Sequence, residues 1–259
     1  MLGGAAFIFF AYIGFDAVST AAEETKNPQR DLPIGILGSV VACTVLYIIV
    51  VAILTGMVYY THLNVAYPVA YAVEQVGLPG WMSLVISIGA IAGLTTVLLT
   101  MMFGQTRVFF AMSRDGLLPP LFSKVHPRFR TPGVSTIIFT IFIATVAAFT
   151  PINVVGSLVN MGTLVAFVLV SVALPILRKR YPGTKGFTVP FGPYLIPALS
   201  ALSALGLIVS LAFGSPRLWG IPVPWFGFVV WMILGLGIYF LYGRSHSHVG
   251  INEASTPSA

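Results

Sequence analysis

Hydrophobic and polar positions along the chain separate into long, continuous apolar runs and short polar loops. Seven runs stand out: Gly3–Ala22, Ile34–Tyr59, Trp81–Met112, Pro132–Phe149, Val154–Leu177, Tyr194–Phe213 and Pro224–Tyr242. Crossing hydrocarbon takes about 20 helical residues, with a usual range near 17–25. Most runs fit that length and predict transmembrane helices. The third exceeds it, so its helix tilts or continues out of the membrane. A β-barrel would instead alternate polar and apolar positions over about 10 residues per strand, and these runs do not. A soluble core is equally excluded, because such runs leave too little polar chain to cover them. The pattern predicts an all-α integral membrane protein with about seven transmembrane helices. The longer loop from His62 to Gly80 predicts a short helix over Pro68–Val76.

Composition sharpens this picture. Apolar residues make up 57% of the chain and charged ones 8%, against about 25% charged in a typical soluble domain. The net charge of +6 is no nucleic-acid footprint, since its cations sit in short loops between apolar runs rather than on one folded face. Of the 13 Lys and Arg residues, only Arg217 falls in the loops of one side; the others, Arg107 and Arg114 included, gather on the opposite side. The positive-inside rule makes that side cytoplasmic. The chain is then expected to begin outside, cross the cell membrane seven times and end inside. An external N-terminus whose leader Met1-Leu2-Gly3-Gly4 lacks the basic stretch of a signal peptide suggests that earlier helices lie upstream. The single cysteine, Cys43, lies in an apolar run and offers neither a disulfide nor a Cys-rich metal site. The last residues, from Gly243 on, are polar and predict a disordered cytoplasmic tail over 243–259.

The candidate chemistry concentrates in FFAYIGFDAVSTAAEE. Gly14 sits inside the run between Tyr12 and Phe15, with Asp16, Ser19 and Thr20 following. Glycine weakens a helix and lets a ligand approach the backbone, but it also permits close helix packing; both readings stand. Asp16 is the one acid inside an apolar run. An intramembrane carboxylate is a site candidate, or else a polar contact to a neighbouring helix. Glu23 and Glu24 beside Lys26 and Arg30 form either a cytoplasmic latch or an interfacial charge cluster. Thr44 and Thr55 are expected to hydrogen-bond between helices, and Gly89 and Gly93, four apart, to permit a close helix crossing. No GxxxxGK[ST], HExxH or GxSxG occurs, so nothing supports an ATP-driven pump, a metallopeptidase or a serine hydrolase. The chain reads as a non-enzyme with no cofactor and no metal site.

The run GFDAVSTAAEETKNPQRDLPIGI resembles the sixth helix and following loop of the amino acid–polyamine–organocation (APC) permeases, most closely the cationic amino acid transporter branch and its bacterial relatives. FGQTRVFFAMSRDGLLPPLFSKVHPRFRTPGVS is similar to their eighth helix, cytoplasmic loop and ninth helix. The resemblance covers residues 3–242. It implies helices 6–12 of a LeuT-like five-plus-five inverted repeat. Residues 1–177 would be the second repeat and 178–242 a cytoplasmic loop with two terminal helices; helices 1–5 would belong to the rest of the protein. It implies secondary transport of amino acids by alternating access, with protons as a candidate coupling ion. Tyr12, Ile13, Gly14 and Phe15 would form the helix break that meets the substrate's ammonium group. Asp16, Glu23, Glu24, Arg107 and Arg114 would be gate candidates, and Thr95 and Thr96 candidates for ion coupling. The alternatives are a truncated product without transport activity and a membrane scaffold subunit.

Overall fold

The computed structural model describes residues 2–20, 22, 25–65, 67–180, 192–214, 217–218 and 220–247. In chain order its helices are α1 (Leu2–Tyr12), α2 (Ala17–Thr20), α3 (Pro28–Met57), α4 (Pro68–Gln75), α5 (Gly80–Arg114), α6 (Gly133–Phe149), α7 (Ile152–Arg180), α8 (Gly192–Gly214) and α9 (Val223–Ile238). A π-helical turn, Tyr239–Gly243, leads into a last helical turn, α10 (Arg244–His246). Among the described residues, strand pairing is confined to a hairpin of β1 (Arg217–Leu218) and β2 (Ile221–Pro222), with Arg217 opposite Pro222 and Leu218 opposite Ile221. Gly220 at φ +82° supplies the positive φ that so tight a turn requires.

All seven apolar runs become helical, and the protein is all-α. Among the described residues five helices are long and apolar enough to cross a membrane: Pro28–Met57, Gly80–Arg114, Val154–Arg180, Tyr194–Phe213 and Val223–His246. The first and fourth runs form shorter apolar stretches, Gly4–Thr20 and Gly133–Phe149. With 35 residues, α5 would extend about 52 Å at 1.5 Å per residue, well beyond a hydrocarbon thickness near 30 Å. Its end is closed by a Schellman motif. Gly116 at φ +80° donates its N–H to the Ser113 carbonyl at 3.2 Å, and Leu117 donates to Met112 at 2.9 Å, satisfying carbonyls that the helix leaves open. The predicted loop helix is found as α4.

The chain divides into two compact units, Gly14–Gly104 and Met1–Ile13 with Gln105–Ala259. In the first, α3 packs against α2 and α4, and Glu74 of α4 accepts a 2.9 Å hydrogen bond from Ser83. The apolar sides of α3 and α5 face outward, as at Leu99, which is 68% exposed. Such surface is stable in hydrocarbon and costly in water.

The second unit is built on α7, which packs on α8, α9 and α1. Its core joins Ala6, Met161, Leu164, Ala204, Ile208 and Leu211, with Phe9 and Trp225 packed on it. Phe9 meets Phe167 edge to face at 5.8 Å. Buried Asn160 reaches from α7 to donate to the Ala6 carbonyl of α1 at 3.0 Å. A second aromatic cluster ties Phe109 of α5 to Phe139 of α6 at 4.4 Å and to Phe122 at 5.7 Å.

Three expectations change. The Thr44 and Thr55 hydroxyls bond carbonyls of their own helix, Val40 at 2.7 Å and Val51 at 2.8 Å, because the preceding turn offers the nearest acceptor in a water-free setting. A Cβ at Gly89 or Gly93 would meet nothing within 4 Å, so no helix crosses there among the described residues. The helical path runs past the expected start of the polar tail at Gly243 to His246; the expected tail from His248 on lies outside the described residues.

Candidate functional site

The first apolar run does not form one continuous helix. At the end of α1 the usual N–H(i)→O=C(i−4) ladder tightens. Ile13 donates to Phe10 at 3.2 Å and Ala17 to Gly14 at 3.1 Å, each reaching back three residues. Between them Gly14 adopts φ +127°, a conformation that a Cβ-bearing residue rarely tolerates. The chain then re-enters helix as α2, supported by its own hydroxyls. Ser19 donates both its N–H (2.9 Å) and its Oγ (2.6 Å) to the Asp16 carbonyl, and Thr20 Oγ1 donates to Ala17 at 2.7 Å. Tyr12, Ile13, Gly14, Phe15 and Asp16 are all half-buried. The backbone is thus irregular over Ile13, Gly14, Phe15 and Asp16, while Tyr12 closes α1.

Three glycines shape the unit that contains Gly14. A Cβ at Gly14 would lie 2.9 Å from Met101 Cε of α5. At Gly104, one turn further along α5, a Cβ would lie 3.6 Å from Thr20 Oγ1. At Gly35 of α3 it would lie 3.4 Å from Val18 Cγ1. The break and the short α2 are thus held by one face of α5 and by the start of α3. Positions 101 and 104 are three apart and share a helix face. Met101, Gly104 and Gly35 escape a reading of the sequence. Gly104 sits in the FGQTR run, but nothing in that run says which helix its bare face meets, and Met101 is one apolar residue among many.

The charged candidates are placed as follows. The Asp16 carboxylate makes no hydrogen bond or ion pair within its own unit among the described residues, while its backbone carbonyl anchors Ser19. Asp31 stands in the first turn of α3, where a carboxylate favours the helix dipole. Arg107 is half-buried, and Arg114 Nε lies 3.8 Å from Asp115 Oδ1 with both side chains about half exposed. Asp16 and Asp31 belong to one unit, Arg107 and Arg114 to the other. Glu23 and Glu24 lie outside the described residues. Thr95 and Thr96 are exposed, and their hydroxyls donate to Ile91 at 2.8 Å and Ala92 at 2.9 Å. Among the described residues no three His, Cys, Asp or Glu side chains gather as a metal site.

Comparison with known proteins gives this geometry its family. The family described as Amino acid permease matches residues 1–241. The chain is 48% identical over 244 residues to the methylthioribose transporter of Bacillus subtilis, covering 94% of this chain and 50% of that protein. It is 47% identical over 249 residues to the branched-chain amino acid permease BcaP of the same organism, covering 95% and 51%. It is 42% identical over 182 residues to the vacuolar cationic amino acid transporter 4 of Arabidopsis thaliana, covering 70% and 30%. The chain spans about half the length of the two bacterial relatives. Its relatives are named as transporters and permeases, and its helices are those of a multi-pass membrane protein. The match covers nearly all of the chain, which therefore belongs to the amino acid permease family, a family of transporters rather than enzymes.

Proposed function

We propose that this chain supplies the substrate-facing part of a secondary transporter that carries amino acids across the cell membrane by alternating access. The observation that carries the reading is the break after α1, where Gly14 at φ +127° interrupts an otherwise apolar helix. Helices end with a partial negative charge of roughly −0.5 at their C-terminus. The end of α1 therefore favours a cationic group at the break, as the ammonium of an amino acid would be. Irregular backbone at membrane depth is tolerated where it lines a cavity or is covered by protein, and broken helices at the midplane are a recurrent way to build transporter sites. Tyr12, Ile13, Gly14 and Phe15 are assigned to substrate, with Phe15 shaping the side-chain pocket.

Asp16, Glu23, Glu24, Arg107 and Arg114 are assigned to the cytoplasmic gate. Exposed ion pairs contribute only about 0–1 kcal/mol each, which suits a gate that must open and close readily. A proton is the candidate coupling ion. Thr95 and Thr96 remain the candidates for ion coupling: their hydroxyls donate to their own helix, and the oxygen lone pairs are left to meet a cation. The C-terminus is assigned to the cytoplasm.

The 48% identity to a methylthioribose transporter favours a second reading. A thiosugar has no ammonium and would offer hydroxyl donors to the same carbonyls. Uptake into proteoliposomes separates the two. The chain is tested alone and joined to the part of the Bacillus subtilis branched-chain permease that the alignment leaves unmatched. Labelled branched-chain amino acids, cationic amino acids and methylthioribose are supplied, with and without an imposed pH gradient. Saturable amino acid uptake by either form, abolished by Gly14→Ala, supports the first reading. Uptake of methylthioribose alone replaces it with the second. No uptake by either form returns the chain to a scaffold or inactive product.

A further inference from the structure

The loop between α5 and α6 ends in a built turn that nothing in the transport reading uses. His126 organises it. Its backbone N–H donates to the Thr131 carbonyl at 2.8 Å, and its carbonyl accepts the Arg130 N–H at 2.9 Å. Its ring Nδ1 accepts the backbone N–H groups of Arg128 at 3.2 Å and Phe129 at 3.4 Å, which fixes the ring proton on Nε2. Arg130 turns the chain at φ +53°. The product is a tip, Arg128-Phe129-Arg130, with the Phe129 ring 68% exposed. The Arg128 guanidinium lies 5.8 Å from the centre of that ring, and the His126 ring lies 5.0 Å from it. Neither Arg128 nor Arg130 makes an ion pair among the described residues, and Lys124 beside them is exposed.

The placement matters as much as the composition. Gly133, the first residue of apolar α6, is four residues beyond Phe129, so the Phe129 backbone lies within about 14 Å of that helix's start. If α6 enters the bilayer, the tip stands at headgroup depth. An aromatic ring is at home there, with its apolar body against the acyl boundary. Guanidinium groups bind phosphate oxygens in a fork, and basic residues near the surface favour anionic lipid. A single exposed Phe in a loop would mean little. Here Phe129 sits in sequence between two arginines that make no ion pair among the described residues, with the Arg128 guanidinium beside its ring, on a turn that four hydrogen bonds of His126 hold in shape.

We propose that the Arg128-Phe129-Arg130 tip is an interfacial anchor that binds the phosphate headgroups of anionic phospholipids and seats Phe129 between them. The whole chain is reconstituted in phosphatidylcholine nanodiscs carrying an equal fraction of brominated phosphatidylglycerol or brominated phosphatidylcholine. Phe129→Trp supplies the signal, after subtraction of the emission of the four native tryptophans. The expected result is that the added emission is quenched about twofold or more strongly by the anionic lipid. Arg128→Gln with Arg130→Gln removes the preference, and the Lys pair at both sites keeps it. A second measurement leaves Phe129 in place: phosphatidylglycerol retained per purified protein, read by mass spectrometry, falls in the Gln pair and not in the Lys pair. Equal quenching by both lipids, no quenching, or a preference that survives the Gln pair overturns the proposal.

Discussion

At Gly14 two costs of adding a methyl group can be ranked. The steric one is soft, because the atom in the way is Met101 Cε, the mobile end of a flexible side chain. The conformational one is not, because φ +127° belongs to glycine and costs any other residue about 1–3 kcal/mol. Gly14→Ala is therefore expected to lower apparent stability in mild detergent by that amount, and Met101→Ala added to it is expected to restore little. Full rescue by Met101→Ala, in paired thermal melts, would show that sterics rather than backbone conformation set the cost. Gly104 makes the control. Its methyl would find Thr20 at 3.6 Å, ordinary contact distance, so Gly104→Ala is expected to melt no lower than the parent and to gain up to about 1 kcal/mol of helix propensity. A branched substitution there is expected to displace α2. The sequence marked Gly14, between two aromatics, as either a break or a close-packing point, because glycine in an apolar run is a local signal; φ +127° selects the break. Met101 and Gly35 were not legible, because their importance comes from a partner far away in the chain.

At the scale of elements, apolar runs translate directly into helices, since a membrane leaves the backbone no other way to satisfy itself within one segment. Which helices touch is another matter. Four-residue glycine spacing at Gly89 and Gly93 promised a crossing that α5 does not make among the described residues, while Gly227 of α9, with no such spacing to mark it, makes one. A Cβ there would run into the Leu158 side chain of α7, with its Cγ at 3.3 Å and Cδ1 at 3.4 Å. Three atoms of one branched side chain stand in the way, so Leu158 has to change rotamer or the helices have to part. Gly227→Ala is expected to destabilise by about 1–3 kcal/mol. Leu158→Ala in the same chain is expected to recover a good part of that, and a double-mutant cycle of melts measures the coupling. An additive cycle would mean that α7 and α9 do not pack through this pair. Polar contacts follow the same rule. Asn160→Ala removes the link from α7 to the Ala6 carbonyl, and interhelical hydrogen bonds in membranes average only about 0.6 kcal/mol. The loss is expected to be small in stability and to show instead as faster amide exchange in α1, measured by hydrogen–deuterium exchange. Exchange in α1 that matches the parent would mean the bond does not hold the helix.

For the whole molecule, the distribution of cations is the feature that the sequence shows best, because orientation depends on a sum over loops and not on any contact. Of the 13 Lys and Arg, Arg217 alone stands apart, which predicts alternating sides for His62, Lys124, Arg217 and Ser245. The weak link is α6. At 17 residues it rises about 25 Å, some 5 Å less than a typical hydrocarbon core. A span this short survives by thinning the bilayer locally or by drawing its flanking residues toward the interface, each at fractions of a kcal/mol per Å. The alternative is that α6 lies at the interface and α7 begins on the cytoplasmic side. Its central turns carry no charge to oppose burial, and Phe149 at its end and Ile152 at the start of α7 are 84% and 79% exposed, apolar surface that favours lipid over water. Crossing is therefore the expected state. Single-cysteine reporters in a Cys43→Ser background decide it in intact cells with a membrane-impermeant maleimide. Positions 62 and 217 are expected to react from outside, and 124 and 245 only after lysis. Thr150→Cys, at the turn between α6 and α7, is the deciding reporter. Labelling from outside makes α6 a full crossing despite its length; labelling only after lysis leaves α6 at the inner surface and reverses the expected sides of every helix after it.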